Sequence, residues 1–197
     1  MDNIYEFIKL LLLTCLALLA TFIMNYYIKK RGYKINSAVN YILISFVTVL
    51  LFVFNGFSVW TVKGIILALI LLYASIQDIS THEADDCLWV MLLILAFVNF
   101  RDNSIISVIL GCITVLLPQI IISAFTKNKG IGGADIKISV AASLSLGFVG
   151  GTFGYIVGLV FATVYQLICN KINNRSQKEA FALLPFISAG LMIGYFI

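Results

Sequence analysis

The chain has 197 residues, of which 61% are hydrophobic and 11% charged, with a mean hydropathy of +1.05 and a formal net charge of +4. A soluble domain is about 45 to 50% apolar and about 25% charged, so a globule of this composition in water would leave too much apolar surface uncovered. That excludes a soluble enzyme, a disordered chain and a nucleic-acid module, and makes the lipid bilayer the solvent to reason with.

Stretches free of Asp, Glu, Lys and Arg run over 10–28, 35–62, 64–77, 87–100, 103–126, 138–170 and 180–197. A helix rises 1.5 Å per residue and needs roughly 20 apolar residues to cross the hydrocarbon layer. The sixth stretch, with 33 residues, must fold back once, and Gly150-Gly151 is the expected turn. The fold class predicted is an all-α membrane protein with about eight transmembrane helices. Asp2, Glu6 and Lys9 within the first nine residues speak against a secretory signal peptide. Cys15, Cys87, Cys112 and Cys169 lack the paired spacing of a zinc site and read as small buried apolar residues, so no metal is expected.

Basic residues in short loops set the orientation. Lys29, Lys30, Arg31, Lys34, Lys127, Lys129, Lys137, Lys171, Arg175 and Lys178 fall on one side, and only Lys9, Lys63 and Arg101 on the other. Ten against three puts the loops near residues 30, 82, 130 and 174 in the cytoplasm and both termini outside. The organisation expected is two helices with a short basic loop over 1–63 and a core of six helices over 64–197.

Three segments fall short. Residues 64–77 and 87–100 offer 14 uncharged positions each and 138–150 offers 13, about 20 Å of helix where about 30 Å is needed. Lys63 can snorkel at one end. At the cytoplasmic end the deficit is met by thinning the bilayer or by drawing in polar residues, and those available are Asp78 and Asp135. All three short helices flank the same two loops, which implies a water-filled notch open to the cytoplasm.

An ionisable group at membrane depth costs several kcal/mol unless paired or wetted, so it marks function by default. Asp78 directly follows the apolar run that ends at Gln77, and Asp135 stands in Gly130-Ile131-Gly132-Gly133-Ala134-Asp135-Ile136-Lys137. Two carboxylates brought together in a poorly solvated place cannot both ionise. One keeps its proton, and the pair can activate a water while protonating a leaving amide, which is aspartic-protease chemistry. The blander readings are a helix-end carboxylate in headgroup water for Asp78 and an N-cap of a helix beginning at Ile136 for Asp135.

The run Asp78-Ile79-Ser80-Thr81-His82-Glu83-Ala84-Asp85-Asp86 resembles the first aspartate motif of the type IV prepilin peptidases, and Gly132-Gly133-Ala134-Asp135-Ile136-Lys137 resembles their second, which presenilin shares in outline. Leu184-Pro185-Phe186 followed by Gly190 is similar to the family's last membrane helix. The resemblance covers about two thirds of the chain, 64–197. It implies a bundle of membrane helices in a bacterial cytoplasmic membrane, with Asp78 and Asp135 as the catalytic pair. The implied activity is removal of the short basic leader from type IV prepilins or pseudopilins at the cytoplasmic face, without a cofactor. The implied partner is a precursor whose basic leader precedes an apolar helix lying in the bilayer. Ala84-Asp85-Asp86 stands where many members have Ile-Pro-Asn or Ile-Pro-Asp, and Ala134 where a glycine is strict; both departures bear on substrate preference. Larger members carry a cysteine-rich cytoplasmic domain linked to methylation, whereas the loop here, 29–36, is short and has no cysteine, so methyltransferase activity is not expected. The compact form resembles members serving tight-adherence or competence-type systems.

Around the pair, Gly132, Gly133, Ala134, Lys137, Glu83 and Asp86 are the candidate supporting residues. Glu83, Asp85 and Asp86 read first as a solvated cap for the helix near Cys87, with reception of the basic leader as the sharper reading. His82 reads as a surface loop residue, and Lys137 as a positive-inside anchor or a charge biasing the pair. Glycines at 147, 150, 151, 154 and 158 share four-residue spacings that favour close helix packing. Two rivals have the aspartates serve as the ion site of a small ion or proton-coupled transporter, or as a presenilin-like protease cutting within a helix.

Overall fold

With no water inside a bilayer, backbone groups must be satisfied within their own segment, and apolar runs become helices. The computed structural model describes residues 2–33, 36–98, 105–126, 132–173 and 181–197, and among these the only regular elements are helices. They are α1 (Asp2–Lys30), α2 (Ser37–Asn55), α3 (Val59–Thr81), α4 (Asp86–Phe97), α5 (Ile105–Phe125), α6 (Gly133–Asn173) and α7 (Leu184–Gly194). α1, α2, α3, α5 and α6 are long and apolar enough to cross a membrane, and α4 and α7 are shorter apolar helices. Lys34, Arg101, Lys127, Lys129, Arg175 and Lys178 from the charge count, and Gly130 and Ile131 of the second motif, lie outside the described residues.

Local signals set the helix ends. The Asn36 side chain accepts the Ala38 N–H at 3.2 Å to open α2, and Gly56, with φ 60°, closes it. Ser58 accepts the Thr61 N–H at 3.3 Å and opens α3. The uncharged run 35–62 is therefore divided, and its end belongs to the next helix. α3 is 23 residues long, with Lys63 and Asp78 inside it, so the short third segment expected from charge positions alone is the middle of a full-length helix. Lys63 does not snorkel; it is buried and bonded.

α6 reverses direction at Gly147 rather than at Gly150-Gly151. Gly147 has φ 75° and ψ −171°, a conformation essentially confined to glycine. A Cβ on Gly151 would lie 2.8 Å from the Ser143 Cβ, although residues eight apart in a straight helix are separated by about 12 Å. The other glycines serve packing. A Cβ on Gly111 of α5 would lie 2.7 Å from the Gly147 carbonyl oxygen, and one on Gly154 would lie 2.8 Å from that of Gly190. The four-residue glycine spacing thus lays α7 along the second half of α6, backbone against backbone.

α3 carries two apolar clusters. One joins it to α1 and α2 through Leu13, Ile44 and Leu51; the other joins it to α4, α5, α6 and α7 through Leu92, Val115, Ile138, Ile187 and Leu191. A buried amide pair, Asn40 donating to Asn25 at 2.7 Å, ties α1 to α2. The cysteines differ from expectation: Cys15 and Cys87 are exposed and Cys112 and Cys169 half-buried. A face turned to lipid is itself an apolar environment, so such residues need no protein core.

Candidate active site

Asp78 lies near the end of α3, 6% exposed, and its Oδ2 accepts the Leu184 N–H at 2.9 Å. Leu184 opens α7, and the first N–H groups of a helix have no partner within it. Asp78 therefore holds the N-terminus of α7, where the helix dipole favours negative charge. His82, in the left-handed conformation with φ 54° and ψ 26°, ends α3 by donating its N–H to the Asp78 carbonyl at 2.9 Å.

Asp135 is the third residue of α6, and its Oδ2 accepts the Gly132 N–H at 3.2 Å. This is the returning half of a capping box, in which an acid in the first turn satisfies the N–H of the residue before the helix. The helix begins at Gly133 rather than at Ile136, so Asp135 is not its N-cap. The glycines before it differ in their surroundings. A Cβ on Gly132 would come within 3.0 Å of Asp135 Oδ2, whereas one on Gly133 would meet open space.

Asp78 and Asp135 line one cavity of about 290 Å³, within electrostatic reach of each other. Glu83, Asp86, Gly132, Gly133, Ala134 and Lys137 share its wall, so every candidate residue from the two motifs gathers here. His82 and Ala84 complete it, and His82 is thus a wall residue as well as an exposed one.

Two ion pairs frame the site. Lys137 Nζ reaches Asp86 Oδ1 at 2.6 Å, linking α6 to α4 with both side chains exposed, so the Lys137 charge is engaged by Asp86 rather than by the pair. Asp85 stands at the start of α4 but makes no capping hydrogen bond there. Its carboxylate instead binds Arg31 and accepts from Gln77 Nε2 at 2.7 Å, while its N–H donates to Gln77 Oε1 at 3.0 Å. The Asp85 carboxylate holds the Arg31 guanidinium above its ordinary pKa. Gln77, 1% exposed, fixes the 82–85 loop from the position next to Asp78. The sequence reading does not single out Gln77, Arg31 or the Leu184 N–H. The signals that could find them are a buried amide adjoining a motif aspartate, and a Leu-Pro helix start that leaves an N–H to satisfy. Among the described residues, no three His, Cys, Asp or Glu gather as a metal-ligand set.

Two carboxyls, each accepting a backbone N–H through Oδ2, thus line one small cavity. The sequence model of the type IV leader peptidase family matches residues 65–167, just over half of the chain and inclusive of both aspartates. Neither the curated proteins nor the solved structures provide a match.

Proposed function

The chain belongs to the type IV leader peptidase family, and on that premise we propose that it is a membrane-embedded aspartic endopeptidase that removes the basic leader from prepilin-like or pseudopilin precursors at the cytoplasmic face. The observation carrying this reading is that Asp78 and Asp135, 57 positions apart, line one cavity. With one proton shared between them, the ionised carboxylate takes a proton from water as the water oxygen attacks the scissile carbonyl carbon. The protonated carboxyl gives its proton to the carbonyl oxygen. When the tetrahedral species collapses, the C–N bond breaks and the first carboxyl passes its proton to the departing amine. The second recovers a proton from the hydroxyl that becomes the new carbonyl, and the pair returns to its starting state.

The rim suits a basic leader. Glu83 is exposed there, and a leader lysine or arginine can take Asp86 over from Lys137. Lipid holds the apolar helix of the substrate alongside the bundle. In this reading α4, α7 and both halves of α6 also span the membrane, which makes eight spans with α1, α2, α3 and α5. The ten-to-three partition of basic residues then puts the cavity at the cytoplasmic surface and both termini outside. The 29–36 loop has no cysteine, so cleavage without methylation is proposed.

The test is cleavage of a prepilin-type precursor co-reconstituted in liposomes. Asp78→Asn and Asp135→Asn are each expected to abolish leader removal while the protein still inserts. Normal processing by either variant would overturn the pair. A cut inside the apolar helix rather than at its cytoplasmic boundary would overturn the leader-peptidase specificity.

A further inference from the structure

Lys63 is a buried charge that this chemistry leaves unused. It sits on α3, 15 residues before Asp78 and 2% exposed. Its Nζ donates to the Ser145 carbonyl at 3.3 Å and lies 5.0 Å from the centre of the Trp60 ring. Among the described residues no carboxylate pairs with it.

Its acceptor explains its place. Ser145 stands two residues before Gly147, where the Asp135-bearing half of α6 ends. The last carbonyls of a helix have no partner within it and carry the negative end of its dipole, so a buried ammonium is a fitting counter-charge. α3 and this half of α6 run in opposite directions, with Lys63 and Ser145 at one end and Asp78 and Asp135 at the other. From Lys63 to Asp78 is about 22 Å of helix, and from Ser145 to Asp135 about 15 Å. The difference falls within the reach of an extended lysine side chain. The tie matters because α3 packs closely on α2, α4 and α7, and α6 on α4, α5 and α7, while α3 and α6 meet mainly through side chains. Without it, the height of α6 against α3 is left to non-directional apolar packing and to the helices between them.

We propose that Lys63 is a positioning residue: by holding the far end of the Asp135 helix, it sets that carboxyl level with Asp78. The role in catalysis rests on Asp78 and Asp135 being the reacting pair, but the role in alignment can be read without cleavage.

Two measurements on the full chain in liposomes test it. In the first, Lys63→Met, which keeps length and removes the charge, is expected to lower kcat for precursor cleavage by about tenfold to hundredfold with KM within about twofold; Lys63→Arg restores most of the loss. In the second, Asp78→Cys and Asp135→Cys are combined in a background with Cys15, Cys87, Cys112 and Cys169 replaced by serine, and cross-linked with a short bifunctional maleimide. Cross-linking is expected to slow severalfold on adding Lys63→Met and to recover with Lys63→Arg. Unchanged cross-linking and unchanged kcat in folded Lys63→Met would overturn the proposal, as would a loss that only tracks the amount of folded protein. The cross-link is read in a chain that cannot cleave by this pair, so its outcome stands apart from that of the aspartate-to-asparagine test.

Discussion

The Asp78 side chain has two duties that substitution can separate. Asparagine removes the charge but keeps an oxygen for the Leu184 N–H, whereas alanine leaves that buried donor without a partner. Asp78→Ala is expected to be less stable than Asp78→Asn by about 1–3 kcal/mol, read by thermal unfolding in detergent, with both inactive. Equal stability would mean that the contact contributes nothing to docking α7. The paired glycines offer a second contrast. Gly132→Ala is expected to displace the Asp135 carboxyl that its methyl would touch, whereas Gly133→Ala, with open space around it, is expected to fold normally. If substrate backbone passes over Gly133, its methyl group lowers cleavage by about tenfold or more; undiminished cleavage would place that path elsewhere. At this scale the motif residues are legible in the sequence because chemistry constrains their types and local spacing. The contact from Asp78 to Leu184 spans 106 positions, and the grip of Gln77 on Asp85 depends on how a loop turns, so neither is written in a local pattern.

At the scale of elements, charge positions locate the apolar runs but misjudge where helices stop. They make Lys63 and Asp78 the ends of the third segment because an ionisable group in lipid is costly. Each instead has a partner inside the protein, the Ser145 carbonyl and the Leu184 N–H, and α3 continues past both. A pair of glycines suggests a turn more strongly than one, which puts the expected reversal within α6 three or four residues late. Backbone conformation decides it: Gly147 alone has positive φ there, while Gly150 and Gly151 are helical and press against Gly194 and Ser143. Gly147→Ala is therefore expected to cost about 1–3 kcal/mol from backbone strain, measurable as a lowered midpoint of thermal unfolding. A variant as stable as the parent would show that α6 can bend by another route.

For the whole molecule, the α-helical membrane class follows from composition, and the number of crossings from how short helices are counted. Native Cys87 offers a check on the proposed orientation, since it is exposed one residue into α4 beside the Asp86–Lys137 pair. A membrane-impermeant maleimide is expected to label Cys87 in inside-out vesicles and not in right-side-out ones; the reverse pattern would invert the topology. The sharp bend at Gly147 also shapes how the protein is made. Between the halves of α6 no polar loop exists at which an insertion machinery could pause, so on the proposed topology both leave the translocation channel together as a hairpin. By then α4 and α5, which pack on α6, have already been synthesised. Leu184 emerges after all of these, so a nascent chain has no anchor for Asp78 until the ribosome has delivered α7.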